Sequence, residues 1–280
     1  MNKELPGGKK EEEDMLHHVR AEMNGASSPS VPRRDGSTVA RLSTGVMGLD
    51  DIMNGGMPRG NTVLLAGASG TGKTTLAFQF LCEGAERGEP GAFISVTEPT
   101  AMLKRNLSSY QFFKQEYLDS GKVTLLDLRA VALKMGLKDG MFQGGEYFAL
   151  VSTLQKVCKE LQLKRLVIDS ITAVCQWLVG PVRVRDFVYR LGLALSDLNC
   201  TTLLTSETPP REIRFSMFGV EEFISDGIIF LGEEEQGRQL VRTLQVIKMR
   251  GTSHERSKYF MELTPDGIKL FDRLHWSLRA

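Results

Sequence analysis

The 280 residues carry 41% apolar and 25% charged side chains, which is enough apolar material to bury a core without staples. Lys+Arg 35 against Asp+Glu 34 leaves a net charge of +1, which excludes a nucleic-acid binder held by bulk charge alone. No apolar run reaches the roughly 18–20 residues that span a bilayer, and the first residues lack a signal-type apolar stretch.

In chain order, residues 1–40 come first and stand apart. They combine Pro6-Gly7-Gly8, a charged run from Lys9 to Asp14, and a loop-like stretch from Asn24 to Pro32. This composition predicts a disordered or weakly helical tail. Met15, Val19 and Met23 recur at four-residue spacing, as one helix face would. The alternative is a docking segment for a protein partner or neighbouring subunit. Six basic and seven acidic side chains in this stretch argue against a DNA-grasping arm.

From residue 41 the pattern becomes strand, loop and helix, repeated. Strands are predicted over 62–66, 92–96, 123–127, 166–169, 201–205 and 227–231, with helices starting near Gly72, Thr100, Tyr147 and Val184. Short strands that are apolar throughout predict a mostly parallel central sheet flanked by helices. After Leu231 the runs 240–249, 258–263 and 268–271 predict antiparallel strands, the last two joined by the turn Thr264-Pro265-Asp266-Gly267. The expected organisation is one α/β domain over 41–275 with a short end at 276–280. Cys82, Cys158, Cys175 and Cys200 form no C-x-x-C pair, so neither zinc nor a redox couple is suggested. They are expected to be buried reduced thiols of a cytoplasmic protein.

One motif carries chemistry. Gly67-Ala68-Ser69-Gly70-Thr71-Gly72-Lys73-Thr74 fits the phosphate-binding P-loop, entered by a predicted strand and left by a predicted helix. Glycines let backbone N–H groups close on phosphate oxygens, and the helix N-terminus adds partial positive charge. Ser69, Gly70, Thr71, Gly72, Lys73, Thr74 and Thr75 are the expected ATP contacts. Lys73 would reach the β and γ phosphates, and the Thr74 hydroxyl would bind Mg²⁺. A second metal carboxylate is expected at Asp169, which ends the apolar run Leu166-Val167-Ile168 at the edge where α/β sheets bind ligands. Glu98 follows another such strand and could accept a proton from attacking water. As it stands before Pro99, it could equally be a solvent-facing residue at a helix start.

Together with the P-loop, several segments resemble the KaiC-type domain of the RecA-like ATPases. They are Leu42 to Asp50, Gly55 to Gly60, Phe93 to Glu98, Val167-Ile168-Asp169-Ser170, Thr205-Ser206-Glu207, Gly219 to Asp226, and above all Ile247-Lys248-Met249-Arg250-Gly251-Thr252-Ser253-His254. The resemblance covers about 41–272. It implies a RecA-like P-loop fold, and a homo-oligomeric ring, usually a hexamer, with ATP between subunits. Lys248 and Arg250 match residues that reach a neighbour's γ phosphate, where a cation supplied in trans stabilises transition-state charge. Without the resemblance they would read as a solvated basic strand face. His254 matches a residue that touches nucleotide across the same interface.

Two departures qualify the resemblance. The family commonly has two adjacent glutamates where this chain reads Thr97-Glu98; Glu98 matches the second of them, which implies the catalytic role, and loss of the first is expected to slow hydrolysis. The autokinase half of the two-domain clock members carries adjacent Ser–Thr phosphosites where this chain has Glu222-Phe223, so autophosphorylation is not expected.

The functional expectation is an Mg-dependent ATPase acting as a regulatory or signalling switch. One alternative is a RecA-related DNA-binding accessory. It would use loops at 172–181 and 208–218, with Arg211, Arg214 and Phe215 in the second and Arg183 and Arg185 after the first. A solvated loop or subunit contact explains these arginines equally well. The other alternative is a structural ring that uses ATP as glue.

Overall fold

The computed structural model describes residues 40–130, 146–178, 180–210 and 212–272. The expectations for residues 1–39, Arg211 and 273–280 fall outside these residues.

The described chain opens with a small antiparallel pair, β1 (Arg41–Leu42) and β2 (Met57–Pro58), separated by helix α1 (Leu49–Ile52). Asp50 organises this segment. Its carboxylate accepts hydrogen bonds from Ser43 Oγ (2.7 Å), Thr44 Oγ1 (2.7 Å) and the Thr44 amide (2.8 Å). Gly56 closes it at φ +104°, where a Cβ would lie 2.2 Å from the Leu42 carbonyl oxygen.

The remaining strands form one nine-stranded sheet in the order β11-β10-β9-β8-β3-β7-β6-β4-β5. Five of them, β3 (Thr62–Gly67), β4 (Gly91–Ser95), β5 (Val123–Asp127), β6 (Arg165–Asp169) and β7 (Thr201–Glu207), are parallel to one another and to β8 (Gly227–Gln236). Between them run α2 (Lys73–Glu86), α3 (Thr100–Leu107), α4 (Gln115–Asp119), α5 (Glu146–Glu160), α6 (Ile171–Gln176) and α7 (Pro181–Ser196), and the short α8 (Glu221–Ile224) precedes β8. The direction then reverses. β9 (Gln239–Met249), β10 (Lys258–Thr264) and β11 (Gly267–Phe271) are antiparallel neighbours, as the sequence predicts.

Alternation along the strands divides the core in two. Val63, Leu65, Phe93, Val167 and Leu203 face α2, where Phe78 stacks on Phe93 with centroids 4.1 Å apart. Leu64, Ile94, Leu166, Ile168 and Leu204 face the opposite side, with residues of α5 and α7. Burial on both faces explains why these strands read as continuous apolar runs. All four cysteines are buried among them, and burial raises the thiols of Cys82 and Cys200 to about 12.

Besides shifts at element ends and unforeseen short helices such as α4, two departures from the sequence reading bear on the core. β6 begins one residue earlier than expected, at Arg165, which is fully buried. Its guanidinium donates to Glu89 Oε2 (2.6 and 2.9 Å), to the Ser43 carbonyl (2.8 Å) and to the Phe80 carbonyl (2.7 Å), and lies 4.6 Å from the Phe80 ring centroid. Gly84 makes room for it, since a Cβ there would sit 2.4 Å from Arg165 Cδ. Secondly, α6 (Ile171–Gln176) takes up the first half of the expected loop at 172–181. Ser170 caps this helix by accepting from the Ala173 amide (3.2 Å).

Candidate functional site

β3 ends at Gly67 and the chain turns through Gly70 (φ +82°) and Gly72 (φ +100°) into α2. Only glycine adopts such angles without strain, so this turn presents backbone close to whatever sits above it. The Thr71 side chain turns inward and donates to the Ala68 carbonyl (2.8 Å), so Thr71 can offer a ligand only its backbone. The Thr75 hydroxyl lies 3.3 Å from the Tyr110 hydroxyl.

Lys73 is 7% exposed, and its ammonium donates to the Gly67 (2.9 Å) and Ala68 (2.8 Å) carbonyls. Burial lowers its pKa, and the nearby Glu207 and Asp169 carboxylates oppose that shift. The cation is thus held by neutral acceptors and lies close to two acids. A polyanion entering the loop would supply a stronger partner than the two carbonyls.

The parallel registers bring the acids together at the same sheet edge. Thr74 Oγ1 donates to Asp169 Oδ2 (2.8 Å), joining the P-loop to the end of β6. Thr205 Oγ1, one strand further on, donates to Asp169 Oδ1 (2.5 Å). Glu98 sits beyond β4 in a turn closed by the Ser95 hydroxyl, and its Oε1 accepts from Asn106 Nδ2 of α3 (2.9 Å). Ser69, Gly70, Gly72, Lys73, Thr74, Thr75, Glu98, Asp169 and Glu207 line one cleft of about 280 Å³. Glu207 ends β7 as Asp169 ends β6, but it follows Thr205-Ser206 rather than an apolar run, so its sequence gives no comparable signal. The donor set of one hydroxyl and one carboxylate suits Mg²⁺, which binds through one or two protein oxygens together with phosphates.

Lys248, Arg250 and His254 lie elsewhere. The Arg250 amide donates to the Asp226 carbonyl (2.9 Å), whose own amide donates to the Thr62 carbonyl (2.7 Å). Arg250 is therefore level with the start of β3, five residues before Gly67, or about 16 Å along the strand at roughly 3.3 Å per residue. Lys248 pairs with Ile228 and donates to the Ser225 carbonyl (2.7 Å). Its pKa is lowered by burial and by Arg250 beside it, against Asp226 and Glu222. Arg250 is 64% exposed and 3.5 Å from Asp226. The imidazole Nε2 of His254 is enclosed without a hydrogen-bond partner. The structure thus gathers Ser69 to Thr75, Glu98 and Asp169 at one sheet edge, and puts Lys248 and Arg250 at the other.

Two residues named for the DNA-binding alternative are engaged within the chain. Phe215 packs edge-on against Phe230, centroids 5.6 Å apart, and Arg214 bonds within its own loop to Met217 and Glu212.

Comparison with known proteins bears on this geometry. The profile of the family described as ATPase: KaiC matches residues 42–275. The chain is 35% identical over 236 residues to the circadian clock oscillator protein KaiC of Parathermosynechococcus lividus, covering 83% of this chain and 42% of that protein. It therefore spans less than half the length of the clock relatives it matches. A UPF0273 protein of Methanopyrus kandleri is 33% identical over 243 residues, covering 83% of this chain and 92% of that one. The crystal structure of a KaiC-like protein from the archaeon Pyrococcus horikoshii OT3 superposes with a TM-score of 0.73 at 35% identity, over 84% of this chain and all of that one. The expected RecA-like α/β architecture is thereby met.

Proposed function

The chain belongs to the KaiC ATPase family, and from that premise we propose that it hydrolyses ATP with Mg²⁺ in a cleft completed by a neighbouring copy. The observation that carries this reading is the convergence of Lys73, the Thr74–Asp169 pair and Glu98 on one cleft beside a glycine-built loop. Backbone N–H groups from Ser69 to Thr75 cradle the phosphates, and Lys73 turns from the two carbonyls to the β and γ oxygens. Thr74 and Asp169 would hold Mg²⁺, which would neutralise charge on the phosphate oxygens. Glu98, oriented by Asn106, takes the proton of a water that attacks the γ phosphorus. The bond to the β–γ bridging oxygen breaks, and ADP and inorganic phosphate leave. Thr97, in place of a first glutamate, makes this step slow.

Lys248 and Arg250 cannot serve the cleft of their own chain, because they sit at the far edge of the sheet. They are suited to a neighbour's cleft, in a head-to-tail contact that closes into a ring, a hexamer in the simplest reading. His254, whose Nε2 is enclosed in its own chain, would have to turn outward to meet nucleotide across the same contact. Such an assembly couples nucleotide state to ring closure, which suits a cytoplasmic regulatory switch. Its protein partner could be engaged through residues 1–40. Autokinase activity is no part of this reading, since Glu222-Phe223 offers no hydroxyl.

Two variants test the cleft. Lys73→Ala should abolish binding of labelled ATP. Glu98→Gln should leave binding within about threefold and lower phosphate release about 100-fold. Full turnover in Glu98→Gln would remove Glu98 from the mechanism.

A further inference from the structure

Asp169 is held from two sides by two hydroxyls with unequal freedom. Thr74 belongs to the P-loop and lines the cleft, so its hydroxyl can turn from Asp169 Oδ2 towards a bound cation. Thr205 lies inside the sheet, is fully buried and does not line the cleft. The register Ile168↔Leu204 sets Asp169 beside Thr205, so this bond follows from strand pairing rather than from a loop. Its Oγ1 reaches Oδ1 at 2.5 Å. A buried hydroxyl donating to a carboxylate makes a strong, charge-assisted hydrogen bond.

From this asymmetry we infer that Thr205 is a positioning residue that sets the metal preference of the site. It reserves one oxygen of Asp169 and leaves the other for the cation. Mg²⁺ is small, demands near-octahedral geometry and is content with a single carboxylate oxygen. Ca²⁺ is larger, takes 6–8 oxygens, and often takes both oxygens of one carboxylate. A carboxylate with one oxygen reserved favours the smaller ion. Removing the Thr205 hydroxyl frees Oδ1, weakens Mg²⁺ binding and relaxes discrimination against Ca²⁺. The inference rests on the proposed binding of ATP with a cation in this cleft.

The test is equilibrium binding of a fluorescent non-hydrolysable ATP analogue to the full chain, titrated with Mg²⁺, with Ca²⁺, or in EDTA. Thr205→Val keeps shape and branching without the hydroxyl; Thr205→Ser keeps the hydroxyl; Thr205→Ala serves if the valine variant does not fold. The ratio of apparent Mg²⁺ to Ca²⁺ affinity should fall about tenfold in Thr205→Val or Thr205→Ala, as for loss of a partner to a metal ligand. It should stay near wild type in Thr205→Ser, with binding in EDTA equal in all. A wild-type ratio in a folded variant lacking the hydroxyl, or a fallen ratio in Thr205→Ser, overturns the role of Thr205. Wild-type analogue binding that ignores both cations instead overturns the metal-assisted reading of the cleft, and the inference with it.

Discussion

The separation of Arg250 from its own P-loop makes a strong prediction for mixed assemblies. Lys73→Ala removes the phosphate-loop cation and leaves the Lys248–Arg250 edge intact. Arg250→Ala does the reverse. A cation supplied in trans is worth about 10³–10⁵ in turnover, and a cleft without Lys73 binds no ATP, so each variant alone should hydrolyse ATP at well under about 1% of the wild-type rate. Mixed in equal amounts and allowed to exchange subunits, the two can pair an intact cleft from one chain with an intact arginine from the other. In a head-to-tail ring of any size, random assembly makes about a quarter of all contacts competent. Phosphate release should therefore recover to about a quarter of the wild-type rate, with exchange verified by energy transfer between labelled subunits. Recovery is expected because about 16 Å of sheet lies between Arg250 and Gly67 of one chain. If exchange is complete and the mixture is no more active than its components, the arginine does not act across a subunit contact. An Arg250→Ala chain with full activity would remove Arg250 altogether.

Other predictions concern the buried framework under the cleft. Arg165→Ala removes the fully buried guanidinium that reaches Glu89 at 2.6 Å and leaves that carboxylate to Arg59 alone; breaking such a buried pair should cost about 3 kcal/mol, the low end for a buried ion pair because one partner remains. Scanning calorimetry should show a fall of about 10 °C in Tm, and a fall within 2–3 °C would mean that Glu89 finds water instead. The pH dependence follows from Glu89. Burial pushes its carboxyl up, but hydrogen bonds from Arg165 and Arg59 outweigh that and hold it below the usual range. Its contribution is thus complete above the ordinary Glu value of about 4.3 and is lost as pH falls through the lower folded value. Wild type should destabilise more steeply in acid than Arg165→Ala, as urea midpoints against pH would show. Gly84→Ala forces a methyl to 2.4 Å from Arg165 Cδ; urea unfolding should register about 1–3 kcal/mol of lost stability.

The parallel strands were legible because burial on both faces writes them as unbroken apolar runs, and the P-loop because its glycines are required by backbone angle. Arg165 broke that signal: a cation at a strand start reads as a boundary, and only the tertiary partners Glu89, Ser43 and Phe80 reveal it as core. Helix α6 was hidden in an expected loop, although Ser170 before an apolar run is a capping signal. Glu207 follows Thr205-Ser206 rather than an apolar run, so the pattern that marks Asp169 is missing and only the pairing of β3 with β7 brings this acid to the P-loop. No local pattern could disclose Thr205, since its bond to Asp169 depends on which strands are neighbours. The placement of Lys248 and Arg250 likewise depends on β9 reversing direction after Gly237, a property of the hairpin and not of the basic residues.

Hydrolysis at the contact between copies is the proposal on which the roles of Lys248 and Arg250 depend. Size-exclusion chromatography with in-line light scattering in ATP and Mg²⁺, with phosphate release measured on each fraction, addresses it directly. A closed oligomer should carry essentially all the activity, and a monomer almost none. A monomeric fraction that releases phosphate at the oligomer's rate per chain would contradict it.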